Sequence, residues 1–195
     1  MANFCGKIKA GLTLDCTSTV VKRYDQKLVI INKEDISSFT IEVDNTGVAY
    51  KYNVAFELKE GSKGYTIELP ANGSGIFGTV EKTTSELGLV QYNQIVNLVA
   101  FGVDEQTKGT LANLDLGRYV VALKINNTVE IYGIENGLST GDYTLDIQSG
   151  NGASALTLAS GEMFLESKLP LVYKATAPST PSADFDSEFE NEAGS

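Results

Sequence analysis

The chain carries 25 aspartate and glutamate side chains and no histidine. Without an imidazole, no group can take the proton in a Ser-His-Asp or Cys-His triad, and the commonest metal ligand is missing too. What remains is carboxylate chemistry. The acids gather in turns: Asp44, the pair Asp104 and Glu105, and the 135–142 loop, ENGLSTGD, from Glu135 to Asp142. That loop offers oxygens of the kind calcium takes, but it lacks the DxDxDG spacing, and Asp and Asn favour turns for their own backbone reasons. Glycoside hydrolysis needs two facing carboxylates at a set separation, and spacing singles out no pair. No catalytic, cofactor-binding or metal-binding residue is assigned. The expectation is a protein that is not an enzyme and takes no cofactor.

The glycine-containing stretches ANGSGIFG and SGNGAS lack the GxxxxGK[ST] pattern and open no helix, so they read as β-connections. Tyr50, Tyr52, Phe56 and Phe77 could stack bases or sugars, yet aromatics in phase along a strand more often face a core, and no basic groove accompanies them. A net charge of −10 repels nucleic acid and anionic membrane. Cys5 and Cys16 bracket CGKIKAGLTLDC, too far apart for a CxxC motif. They read as two reduced, partly buried thiols, or as a bridge if adjacent strands place them opposite each other. MANFCGKIKAG has no apolar run of signal-peptide length, and no run of about 18 apolar residues occurs that could span a membrane. Synthesis in a cytoplasm is the expectation.

The elements that would position these residues are mostly strands. LVIIN (28–32) reads as a buried strand, and Leu12 and Leu14 suggest a short one before it. In ISSFTIEVD, Phe39, Ile41 and Val43 alternate with polar residues, which predicts a half-buried strand. The turn DNTG joins it to VAYKYNVAFELK, where Tyr50, Tyr52, Val54, Phe56 and Leu58 are in phase, so the two make a hairpin. YTIEL, IFGTVEK and LVQYNQIVNLVAF follow, with KTTSELG (82–88) as a loop. A helix is expected over about 104–116, with Asp104 as N-cap, Leu111 and Leu114 turned to the core and Gly117 as C-terminal cap. RYVVALKI and TVEIYGI flank Asn126-Asn127, a tight hairpin turn. YTLDI, SALTLAS and LPLVYK bring the count to about ten strands. The fold class expected is mainly β: one antiparallel sandwich or barrel over 1–175 with one short flanking helix. Residues 176–195, TAPSTPSADFDSEFENEAGS, hold acids but no Lys or Arg and read as a disordered acidic tail. Phe185 and Phe189, four apart among those acids, could instead form a recognition segment that folds on a partner.

Three stretches, QIVNLVAFGVDEQTKGTLANL, GRYVVALKINN and VEIYGIENGL, resemble virion proteins from tailed phages of Bacteroidota hosts. CGKIKAGLTLDC followed by LVIINKEDI resembles the start of the same group, so the resemblance covers most of residues 4–138. It implies a structural role, with the tail tube subunit as the nearest functional analogue. Its partners would be copies of itself in stacked hexameric rings and other tail proteins, with DNA passing through an acidic lumen without sequence-specific binding. The ANGSG and KTTSELG loops would be ring-to-ring contacts. The location implied is the virion tail, after synthesis in the bacterial cytoplasm, with no membrane partner. The acidic C-terminal segment departs from that pattern and keeps a capsid decoration or head–tail connector role open. A non-catalytic carbohydrate- or adhesin-type binding module is the remaining alternative.

Overall fold

The computed structural model describes residues 27–44, 51–68, 75–85, 88–101, 105–141, 144–145 and 153–191. Expectations about Leu12 and Leu14, Cys5 and Cys16, Tyr50, Asp104, Asp142 and most of ANGSG lie outside these residues.

The chain runs β1 (Lys27–Asn32), a 3-10 turn (Lys33–Asp35), β2 (Ile36–Asp44), β3 (Lys51–Leu58), β4 (Tyr65–Glu68), β5 (Phe77–Thr84), β6 (Val90–Phe101) and α1 (Glu105–Leu114). It continues through β7 (Tyr119–Ile125), β8 (Thr128–Tyr132), β9 (Ser139–Thr140), β10 (Thr144–Leu145), β11 (Ala153–Ala159), β12 (Leu171–Tyr173) and α2 (Pro181–Asp186). Seven strands form one sheet in the order β2-β3-β12-β8-β7-β1-β4. The second sheet is β10-β11-β6-β5, with β9 joined to β11. The fold is mainly β, as the alternating pattern predicts.

Strands β1 and β7 explain why the two sheets stack. Each is apolar at consecutive positions, so each buries both faces. Leu28, Ile30, Val121 and Leu123 pack with Val96 and Leu98 of β6 and Leu156 and Leu158 of β11, forming the core between the sheets. Val29, Ile31, Val120 and Ala122 point the other way and join Val54, Phe56, Val129 and Ile131 in a second core on the outer face of the large sheet. Burying one such aliphatic side chain stabilises by about 1.5–3 kcal/mol. A charge placed at Val120 or Val121, both fully buried, would therefore break one core or the other.

Helix α1 lays Leu111 and Leu114 into the inter-sheet core, the pair its spacing predicts. Gly117 is not a left-handed cap. A Cβ there would lie 2.2 Å from the Tyr119 hydroxyl, so glycine lets that hydroxyl donate to the Asn113 carbonyl at 2.8 Å. The β7–β8 hairpin closes through the Asn126-Asn127 turn, with Asn126 at φ 56°.

Four expectations need correction. The sheets are not wholly antiparallel: β12 pairs antiparallel with β8 but parallel with β3, because it returns from the other sheet to fill the gap between them. Strand β2 pairs with β3 as predicted, yet Phe39 and Val43 are 40% and 46% exposed, since among the described residues β2 is an edge strand. Lys82 to Thr84 belong to β5, paired with β6 up to Thr84 opposite Val90, and are not part of a loop. Residues 176–191 are not a disordered tail. They carry a second short helix, α2, capped by the Thr180 side chain, and bury Phe185 and Phe189 on the outer face of the large sheet. Composition predicts disorder because the segment is polar, but two aromatics on a ready-made apolar face suffice to order it.

Candidate assembly edges and the clasp between the sheets

The described part of the 135–142 loop, residues 135–141, is pinned by a cation of the protein's own. Arg118, at the start of β7, donates from Nε to the Asn136 carbonyl at 2.6 Å and from its terminal nitrogen to the Gly137 carbonyl at 2.7 Å. Its guanidinium also stacks 3.8 Å from the Phe164 ring centre. A fixed cation thus takes carbonyls that calcium would otherwise use. Asp44 ends β2 opposite Lys51, and Glu105 sits exposed at the start of α1. Among the described residues, no three His, Cys, Asp or Glu side chains converge as a metal site.

Below that loop lies a polar cluster with little sequence signal. The Glu166 carboxylate, 1% exposed, accepts from the backbone N–H of Glu135 at 3.0 Å and of Asn136 at 2.9 Å. Glu135 returns the contact: its carboxylate accepts from the Ser167 N–H, the Ser167 hydroxyl and the Lys168 ammonium at 2.6, 2.7 and 3.1 Å. Burial pushes the Glu166 carboxyl up, against the two N–H bonds that favour its charged form. Burial acts on Glu135 too, but its bonds from Ser167 and Lys168 outweigh it and hold the carboxyl below its usual range. Lys33 donates to the Ile134 carbonyl at 2.8 Å, and burial pulls its ammonium down despite the nearby Glu166 and Glu135 charges.

Gln94 completes the link between layers. From β6 its side-chain oxygen accepts from the Gly133 N–H at 2.8 Å, and its nitrogen donates to the Lys168 carbonyl at 2.9 Å. The Ser160 N–H donates to the Gln94 carbonyl at 3.0 Å. Every buried polar group named here is partnered within the protein, so the cluster links the two sheets. One signal was readable: Gln94 is in phase with Val96 and Leu98, a polar residue on an apolar face.

Among the described residues the aromatics do not form a stacking platform, in keeping with the core reading of Phe56. Phe56 is buried beneath Tyr173 and Phe189, the Tyr52 hydroxyl accepts from the Leu169 N–H, and Phe77 lies on the other sheet. Large apolar side chains are exposed instead at the sheet edges. The large sheet ends in β2, with Phe39 and Val43, and in β4, with Tyr65; the second sheet ends in β5, with Phe77. Beside β4 an open groove of about 930 Å³ runs to α1, lined by Ile30, Tyr65, Ile67, Leu114 and Leu116 among others. Among the described residues no helix is long and apolar enough to cross a membrane. Comparison with protein families, with curated proteins and with solved structures finds no match to this chain.

Proposed function

We propose that this chain is a structural subunit of a tailed-phage virion, the tail tube subunit, assembling with copies of itself into stacked rings around a channel for DNA. One observation carries the reading: long edge strands of both sheets, β2 and β5, stand open among the described residues and display Phe39, Val43 and Phe77 to solvent. An open edge is a template for pairing, and a monomer normally blunts it with charge or cover. Contacts between two different edges are heterologous, and they close a ring when the rotation allows. The net charge of −10 suits a channel along which DNA slides without adhering. Six subunits per ring is what the resemblance implies.

Negative-stain images of the purified protein are expected to show rings or tubes with a central channel. Val43→Lys on the β2 edge should abolish them while leaving the unfolding free energy of the subunit within about 0.5 kcal/mol of wild type. A protein that stays monomeric at high concentration in sedimentation would overturn the proposal.

A further inference from the structure

Residues 176–191 behave as a ligand of the surface they cover. They follow a short connection at 175–179, after Lys174, whose N–H donates to the Val54 carbonyl of β3 at 2.8 Å, and reach the outer face of the large sheet without joining its ladder. Phe185 is fully buried there, with the Lys27 and Lys124 ammonium groups 5.8 and 5.4 Å from its ring centre. Phe189 packs at 5.2 Å on Phe56 and 5.1 Å on Tyr173. Around this pair the charges are complementary. Asp186 meets Lys124 at 2.9 Å, and Glu188 meets Lys63 at 3.3 Å and the Thr66 hydroxyl at 2.7 Å.

The body has made room for this occupant. Gly64 donates its N–H to the Glu188 carbonyl at 2.8 Å, and a Cβ there would lie 3.1 Å from that oxygen and 2.4 Å from Val29. Glu188 and Phe189 take φ values of 59° and 56°, consecutive left-handed residues that are not glycine. That turn closes the end of the helix, with the Phe189 N–H donating to the Asp184 carbonyl at 2.7 Å, and it brings Phe189 onto Phe56 and Tyr173. The site therefore reads one chemistry: a short acidic segment with a one-turn helix and two aromatics four apart, set in an apolar floor with a lysine rim.

We propose that this face is a docking site for the same segment of a second copy, so that the C-terminal strap can exchange between chains. The identical segment satisfies every contact in either chain, which makes exchange a low-cost route to linking copies. A connection of about five residues spans roughly 17 Å when extended, a reach that lets the segment swing to an adjoining copy. The three lysines favour this acidic occupant on a molecule whose overall charge repels its own kind. The inference concerns the strap and not the sheet edges, so it stands apart from the ring reading.

Zero-length carbodiimide cross-linking of the full-length wild-type chain tests it, because Lys63–Glu188 and Lys124–Asp186 are in direct contact. Equal amounts of isotopically heavy and light protein are incubated together, coupled and digested. Exchange is expected to give Lys63–Glu188 and Lys124–Asp186 products of mixed isotope, and excess peptide of residues 176–191 should reduce them by about tenfold or more. The same peptide with Phe185→Ala and Phe189→Ala should leave them unchanged. Products of matched isotope alone, at any incubation time, would overturn the proposal by showing that each strap stays on its own body. Loss of the mixed products to the alanine peptide as well would overturn it too, since the aromatic pair would then not be what docks.

Discussion

Two closures hold this molecule together, and both use carboxylates. The clasp between the sheets buries Glu166 and answers it with two backbone N–H groups, while Glu135 reaches back across the same gap. The C-terminal strap keeps its acids nearer the surface: the Asp186 side chain is 56% exposed and faces Lys124, that of Glu188 is 26% exposed against Lys63 and Thr66, and the buried side chains are those of Phe185 and Phe189. The first arrangement cannot open without stranding polar groups in the interior. The second can lift off into water with its charges intact, losing apolar burial and a few screened ion pairs. One closure is part of the fold, and the other is an attachment to it.

The largest effect expected is at the strap. Phe185→Ala removes a fully buried aromatic, a change worth about 3–5 kcal/mol. The loss should be local: strap amides lose hydrogen-exchange protection and a protease cuts within 174–180, while β6 and β7 amides keep theirs. Equal loss in β6 and β7 would erase the distinction between the closures.

Glu166→Ala should act on the whole domain instead. It strands the Glu135 and Asn136 N–H groups, and the global unfolding free energy from denaturant titration should fall by about 2–3 kcal/mol. Acid separates the two closures further. Burial raises the Glu166 carboxyl above its unfolded value, so its charge weakens the fold at neutral pH and the penalty lifts as pH falls toward 4.5. The Lys124 bond lowers Asp186, and the Thr66 and Lys63 bonds lower Glu188. Their support is present above the unfolded values of 3.8 and 4.5 and is lost as pH falls through the lower folded ones. Titrated downward, wild type should therefore gain global stability relative to Glu166→Gln before the strap loosens below pH 4.5. Strap release at a higher pH than that gain would contradict the assignment.

Lys124→Met is the smallest test. The ion pair with Asp186 is exposed on one side, so strap protection should drop by less than about 1 kcal/mol and the salt dependence of docking should shrink.

Much of the body is legible in the residues. The consecutive, β-branched apolar run Leu28 to Ile31 reads as a well-buried strand, and the Asn126-Asn127 turn sets the β7–β8 register. Leu111 and Leu114, three apart, place the helix on the core. The clasp was not legible, because nothing local marks Glu166, in GEMFLESKL, as buried. Its partners are the backbone of a loop some thirty residues earlier, as the Glu135 and Asn136 bonds show.

The strap shows where the boundary between the two kinds of information falls. By itself the sequence determined a mainly β chain, its hairpins, its one amphipathic helix and its missing imidazole, since these follow from period, turn chemistry and composition. The order of strands, with β12 slipped between β3 and β8, and the fate of Phe185 and Phe189 were decided only by the tertiary structure. Period and composition are properties of a segment, but burial belongs to the surface a segment meets. That surface, the outer face of the large sheet, exists only once β1, β3, β7, β8 and β12 have come together.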